Sequence, residues 1–246
     1  MIRLLFAAIY LILFLVLTIP LMLITWLIGR FHPHAGDVSS LAIVNWGFRC
    51  LWVICGIRPT VIGAERVPTD TSVLYAANHR SIFDIVVTYP LVNRPTGFIA
   101  KKEMLKAPLL NIWMMLLHCL FLDRKNPRAG LNVILKAIEL EQKGISVFVF
   151  PEGTRNKDHE STELLPMHNG SFKIATKTGV PIIPVTICGT KNIMSGKVPG
   201  IRKSKIVVEF GEPIYVGELS KEEAKNVSDM LAARITETYV RNLPMT

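Results

Sequence analysis

The chain has little charge, few cysteines and no recognisable metal motif. Only 19% of its 246 residues are charged, against about 25% in ordinary soluble domains. The apolar excess therefore needs somewhere to go, and it is concentrated before residue 58. The four cysteines, Cys50, Cys55, Cys119 and Cys188, include no C-x-x-C pair. That excludes the common zinc and dithiol motifs and reads as reduced, packed thiols. No H-E-x-x-H or similar ligand spacing is present, so a metalloenzyme built on His79, Asp84, His159 and His168 has no support. There is no internal repeat, no low-complexity tract and no second-domain linker. Acidic residues are scarce beside basic ones, 19 against 28, for a formal net charge of +9. Such an excess calls for an anionic partner. The basic residues form no long run, which argues against a nucleic-acid tail. They scatter instead as Lys101, Lys102, Arg124, Lys125, Arg128, Arg155, Lys157, Lys173 and Lys177. Beside an apolar N-terminus, membrane lipid is the simpler partner.

Leu4 to Ile28 carries no charge and is bracketed by Arg3 and Arg30. As a helix it would be roughly 37 Å long, against a hydrocarbon core of about 30 Å. It can span with tilt, or bend at Pro20 and embed only partly. It is too long for the apolar region of a cleaved signal peptide. A polar loop, Gly29 to Asp37, leads to a second apolar stretch, Val38 to Ile57, holding Asn45, Trp46, Arg49 and Trp52. Trp favours the headgroup level and a single Arg can snorkel there. Residues 1–58 are thus expected to form a membrane-embedded helical hairpin, and residues 59–246 the catalytic domain.

From residue 59 short apolar runs alternate with helical stretches. Expected strands are Ser72–Ala77, Gly97–Ala100, Leu120–Asp123, Ser146–Phe150, Ile182–Cys188 and Lys205–Phe210. Most are continuously apolar, as strands covered on both faces are. Asn126, Pro127 and Gly144 punctuate a helix with Leu131, Ile134, Leu135 and Ile138 on one face. Ser220 and Glu223 form a capping box for a C-terminal helix. The alternation predicts an α/β domain with a mixed, largely parallel sheet flanked by helices.

Three strand ends carry candidate chemistry, where sites of open α/β sheets form. The first is Asn78-His79-Arg80-Ser81-Ile82-Phe83-Asp84. On one continuous helix His79 and Asp84 would lie about 140° apart. They meet only if His79 sits in a turn and Asp84 in the first turn of the next helix. The carboxylate would then hold one ring nitrogen and leave the other as a base. Equally, Ser81-x-x-Asp84 reads as a capping box that serves only the helix. The second is Phe150-Pro151-Glu152-Gly153-Thr154-Arg155, where Gly153 allows close backbone approach and Arg155 offers a phosphate fork. The third is Phe121-Leu122-Asp123-Arg124, with Arg124 either a phosphate ligand or a rim partner of Asp123. Val180-Pro181-Ile182-Ile183-Pro184-Val185 has no functional side chain and reads as a strand lining an apolar groove.

Together, in this order and spacing, these blocks resemble the glycerolipid acyltransferases: N-H-x4-D at 78–84, Lys101-Lys102-Glu103 through Arg124, F-P-E-G-T-R at 150–155, and V-P-I-x-P-V at 180–185. The likeness is strongest to bacterial-type 1-acylglycerol-3-phosphate acyltransferases, which carry an N-terminal membrane helix pair. The resemblance implies the glycerol-3-phosphate acyltransferase-like fold and thioester-dependent acylation of a lysophospholipid. His79 would act as general base and Asp84 as its orienter. Arg155, Arg124 and Lys101 would bind the substrate phosphate, with Lys102 a substitute for Lys101. Glu152, Gly153 and Thr154 would shape the site and supply oxyanion donors. It implies no cofactor and no metal, only acyl-CoA or acyl-carrier protein as co-substrate. The active site would lie on the cytoplasmic face of the inner or cell membrane, where such donors reside. The same motifs would fit another lyso-lipid acceptor, glycerol 3-phosphate itself, or a non-catalytic lipid-binding protein.

Overall fold

In the computed structural model, which describes residues 1–158, 160–194 and 200–246, the chain opens with three helices. They are α1 (Ile2–Leu17), α2 (Ile19–Phe31) and α3 (Pro33–Cys55). The first two form one apolar rod bent by 49°. The break falls at Thr18, two residues before Pro20, which lacks the N–H that would continue the ladder. The Thr18 hydroxyl bonds back to the carbonyl of Phe14 at 2.7 Å and accepts the Trp113 indole N–H at 3.1 Å. The expected polar loop at 29–37 is almost absent. Only His32 separates α2 from α3, because the two helices cross backbone on backbone. A Cβ on Gly36 would lie 2.5 Å from Gly29 Cα. The 23 residues of α3 are long and apolar enough to cross a bilayer, and the bent pair counts as a second such element.

A seven-stranded sheet follows. Its strands are β1 (Ile57–Ile62), β2 (Leu74–Ala77), β3 (Thr96–Lys101), β4 (Leu120–Leu122), β5 (Ser146–Val149), β6 (Ile182–Cys188) and β7 (Ser204–Phe210). Their spatial order is β1-β7-β6-β2-β5-β3-β4. Strands β6, β2, β5, β3 and β4 run parallel; β7 is antiparallel to β6, and β1 runs with β7. The boundary expected at residue 58 therefore falls inside β1, which the sequence reading did not include.

The sheet divides its side chains between two layers. Val73, Tyr75 and Ala77 face one way, packing with Phe98, Phe148 and Val185 against Leu41, Val44 and Leu51 of α3. Helix α4 (Phe83–Thr88) and helix α5 (Leu110–Leu116) belong to this layer. The Trp52 indole donates to Val86 O at 2.9 Å and Arg49 donates to Pro90 O at 3.3 Å. Both residues thus tie α3 to the sheet domain rather than standing free for headgroups. Leu74, Ala76, Val147 and Val149 face the other way, toward α6 (Pro127–Gln142), α7 (Lys173–Thr178) and α9 (Val227–Asn242).

Helix α6 is capped as its sequence implies: the Asn126 side chain accepts from the N–H groups of Arg128 and Ala129. Its buried face differs from the expected one. Val133 and Ala137 pack inward with Ile134 and Ile138, while Leu131 and Leu135 stay 58% and 50% exposed. The small Ala137 lets the helix approach closely, which rotates the stripe. The Ser220–Glu223 capping box is present but opens only α8 (Lys221–Lys225), and the chain restarts at Asn226 as α9.

Many large apolar side chains of α1 and α2 are left outside, among them Leu5, Ile12, Leu23 and Trp26. A continuous apolar surface of this kind suits association with a membrane.

Candidate active site

The motifs at 78–84, 101–103, 123–124 and 150–155 lie at the carboxyl ends of β2, β3, β4 and β5, while 180–185 runs into β6 itself and supplies no side chain there. Along that edge the strands stand in the order β6, β2, β5, β3, β4. With strands about 4.8 Å apart, the ends of β5, β3 and β4 lie about 5, 10 and 14 Å from the end of β2.

Strand β2 ends at Ala77, and Asn78 locks that end. Its buried side-chain amide donates to Ile187 O at 2.9 Å and accepts from Ile187 N at 2.8 Å. The chain then turns through His79 and starts α4, whose first turn carries Asp84. The side chains meet across that turn, with His79 Nδ1 2.8 Å from Asp84 Oδ2. The same oxygen accepts the N–H groups of Arg80 and Ser81, each at 2.8 Å. Asp84 therefore takes amides at the helix start and holds the histidine at once, so the reading in which it serves only the helix does not hold. A carboxylate that takes two amide donors can only accept from the ring. That puts a ring proton on Nδ1, so in the neutral imidazole Nε2 is the basic nitrogen. Asp84 is 1% exposed. The His79 ring stacks on Phe150 at 4.1 Å, inclined by 23°.

The turn after β5 is fastened to the same place. Glu152 Oε1 accepts the His79 N–H at 2.7 Å and Oε2 accepts the Leu165 N–H at 2.9 Å. Burial pushes the Glu152 carboxyl above the usual range, against the pull of these two donors. Glu152 is thus a brace between the His79 turn and the following loop. Gly153 has φ +67°, and a Cβ there would lie 2.8 Å from His168 Nε2. Its N–H closes the turn onto Phe150 O at 2.9 Å, so this amide is engaged. The Thr154 N–H has no hydrogen-bond partner among the described residues. Arg155 is exposed, and the next residue donates its N–H to His79 O at 2.8 Å. That bond brings the Arg155 backbone beside the His79 turn.

Arg80 extends the bracing. It is buried, donates to the carbonyls of Asp158 and Glu163, and lies 4.7 Å from the centre of the Tyr239 ring. Further along the edge, Lys101 ends β3 and pairs with Glu103 at 3.2 Å. Asp123 takes Lys102, at 3.0 Å, and not Arg124. Arg124 and Arg155 have no ion-pair partner among the described residues. His159 lies outside the described residues. Among the described ones, no cluster of three or more His, Cys, Asp or Glu is placed to hold a metal.

Sequence reading did not find Thr190, whose hydroxyl reaches Asp84 from the turn after β6. Nor did it give Phe150, the first residue of the second motif, its place as the ring stacked on His79.

A family model described as "Acyltransferase" matches residues 58–188. The chain is 36% identical over 72% of its length to a chloroplastic 1-acyl-sn-glycerol-3-phosphate acyltransferase of Brassica napus, and spans 52% of that protein. It is 29% identical over 76% of its length to the 1-acyl-sn-glycerol-3-phosphate acyltransferase of Borreliella burgdorferi, spanning 73% of it. Among solved structures it is similar to the lysophosphatidate acyltransferase PlsC of Thermotoga maritima. That likeness has a TM-score of 0.78 and 27% identity, over 96% of this chain and 94% of that one. With the family model covering more than half its residues, this chain belongs to the acyltransferase family.

Proposed function

We propose that the protein transfers a fatty acyl group from acyl-CoA or acyl-carrier protein to the sn-2 hydroxyl of 1-acylglycerol 3-phosphate, giving phosphatidate. The observation that carries the reading is the His79–Asp84 pair, joined through Nδ1 at 2.8 Å so that Nε2 is free of the carboxylate. His79 Nε2 takes the hydroxyl proton as the oxygen attacks the thioester carbonyl. The tetrahedral oxyanion collapses, the carbon–sulfur bond breaks, and the thiolate leaves with the proton from His79. Asp84 stabilises the imidazolium between those two steps, as in the serine-hydrolase triad, with the substrate's hydroxyl in the serine's place. Base catalysis of this kind supplies about 10²–10⁴-fold. Positioning and oxyanion donors supply the rest.

In this reading the Thr154 N–H takes the oxyanion role, because the Gly153 amide is spent on its turn. Arg155 is the principal phosphate ligand, since its backbone adjoins the catalytic turn. Lys101 and Arg124 stand farther along the edge and reach inward over long side chains. Arg124 is free of Asp123 and available to an anion. The acyl chains lie against the apolar N-terminal helices, and the site opens on the cytoplasmic side of the membrane, where thioester donors are found. No cofactor enters the scheme.

The test is acylation by the full chain in detergent, supplied in turn with lysophosphatidate, other lysophospholipids and glycerol 3-phosphate, with both donors. Thiol release and product are followed together. Turnover selective for lysophosphatidate supports the reading. Turnover with a different acceptor keeps the chemistry and overturns the substrate. Silence with every pair overturns both.

A further inference from the structure

The Asp84 carboxylate is held from two sides. Three N–H groups converge on Oδ2, and all three come from the segment that also carries Asp84. The other oxygen, Oδ1, accepts a hydrogen bond of 2.5 Å from the Thr190 hydroxyl. Thr190 is 106 residues away in sequence and is itself 1% exposed. It stands in the turn after β6, the strand next to β2, and lies two residues beyond the segment matched by the family model. The turn is made by Gly189 at φ +86°, where a Cβ would lie 2.5 Å from Lys205 O.

We infer that Thr190 is a positioning residue for the acyl transfer: its hydroxyl fixes Asp84 Oδ1, so that Oδ2 stays aimed at His79 Nδ1. The terminal torsion of an aspartate is soft and roughly two-fold. Donors on one oxygen alone leave the carboxylate free to swing about that oxygen. A donor on the second oxygen, from a different strand, removes that freedom. It also leaves no buried carboxylate oxygen unsatisfied, which would otherwise be costly. The threonine so connects the sixth strand to the base without touching substrate.

The inference rests on the proposed acyl transfer, and its test separates the two. The wild type, Thr190→Val, Thr190→Ala and Thr190→Ser are compared as full chains in detergent, each with its thermal midpoint. Thr190→Val and Thr190→Ala are expected to lower kcat about ten- to a hundredfold, the scale of one buried hydrogen bond to a charged group. KM for the acceptor holds within about twofold, and Thr190→Ser restores most of the rate. In an Asp84→Ala background, Thr190→Val should change the residual rate by less than about twofold, because the group it acts through is gone. Equal kcat in the wild type and in both hydroxyl-less variants would overturn the inference while leaving acyl transfer intact. So would an undiminished penalty in the Asp84→Ala background, or a loss carried by KM alone. An inactive wild type would remove the acyl-transfer reading itself, and the inference with it.

Discussion

Replacing Asp84 by Asn tests whether the carboxylate's charge matters apart from its geometry. The position of Oδ2 faces three N–H groups, two of them backbone. An amide nitrogen placed there would oppose all three. The Asn side chain therefore puts its oxygen at that position and its NH₂ toward Thr190, whose hydroxyl can accept. The His79 ring keeps its proton on Nδ1, and only the negative charge is lost. Two unit charges about 4 Å apart attract by about 4 kcal/mol at an effective dielectric constant near 20. That corresponds to about a thousandfold in rate. The amide dipole retains a part, so kcat should fall between about a hundredfold and a thousandfold, with KM for the acceptor little changed. In a serine-hydrolase triad the same exchange costs about 10⁴ because the tautomer is lost. Initial rates of thiol release at saturating donor and acceptor measure the difference. A loss under tenfold would mean that Asp84 serves only the helix start. A loss of 10⁴ or more would mean that the two amide donors do not hold the side chain as argued.

Two other perturbations have definite outcomes. Burial pushes the Glu141 carboxyl from 4.5 up to about 7, and its Oε2 has no hydrogen-bond partner among the described residues. The folded chain then keeps a proton that the unfolded chain releases. The stability tied to this group is fully present below pH 4.5 and is lost as pH rises to about 7, a change of about 3 kcal/mol. Glu141→Gln should raise the thermal midpoint at pH 8 and flatten its slope across that window; an unchanged slope would refute the assignment. Gly153→Ala places a Cβ at positive φ and against His168. The left-handed conformation costs about 1–2 kcal/mol, or a few degrees in melting temperature for a chain of this size. Activity should fall more than tenfold because the turn also carries Glu152 and Arg155. Wild-type kinetics in this variant would show that the turn's geometry is not required.

The sequence made the central strands legible because β2, β5 and β6 are covered on both faces and read as unbroken apolar runs. Strand β1 was hidden by Arg58 and Pro59, which interrupt its run. Pro is tolerated there because β1 is an edge strand. The reversal of β7 leaves no local mark, since a strand's direction is set by how it pairs with β6 and not by its own run of residues. The segment at 29–37 looked like a loop for its Gly, His and Pro content, yet Gly29 and Gly36 serve a close helix crossing. In the site, the spacing of His79 and Asp84 allowed them to meet across a turn but left a helix-cap reading open, and it was the resemblance of the four blocks together that implied the pair. Thr190 was not readable, because a threonine at a strand end is common and its partner is remote in sequence. The exposed basic residues were readable as types, but only the strand order shows Arg155 beside β2 and Arg124 three strands away.

The most direct test of the account is the rate of phosphatidate formation from lysophosphatidate and an acyl thioester by wild type and by His79→Ala. Both should be folded to the same thermal midpoint in the same detergent. The account predicts turnover by the wild type and a loss of at least about a hundredfold in kcat for the variant, the low end for removing a general base. A His79→Ala enzyme that works within tenfold of the wild type would contradict it.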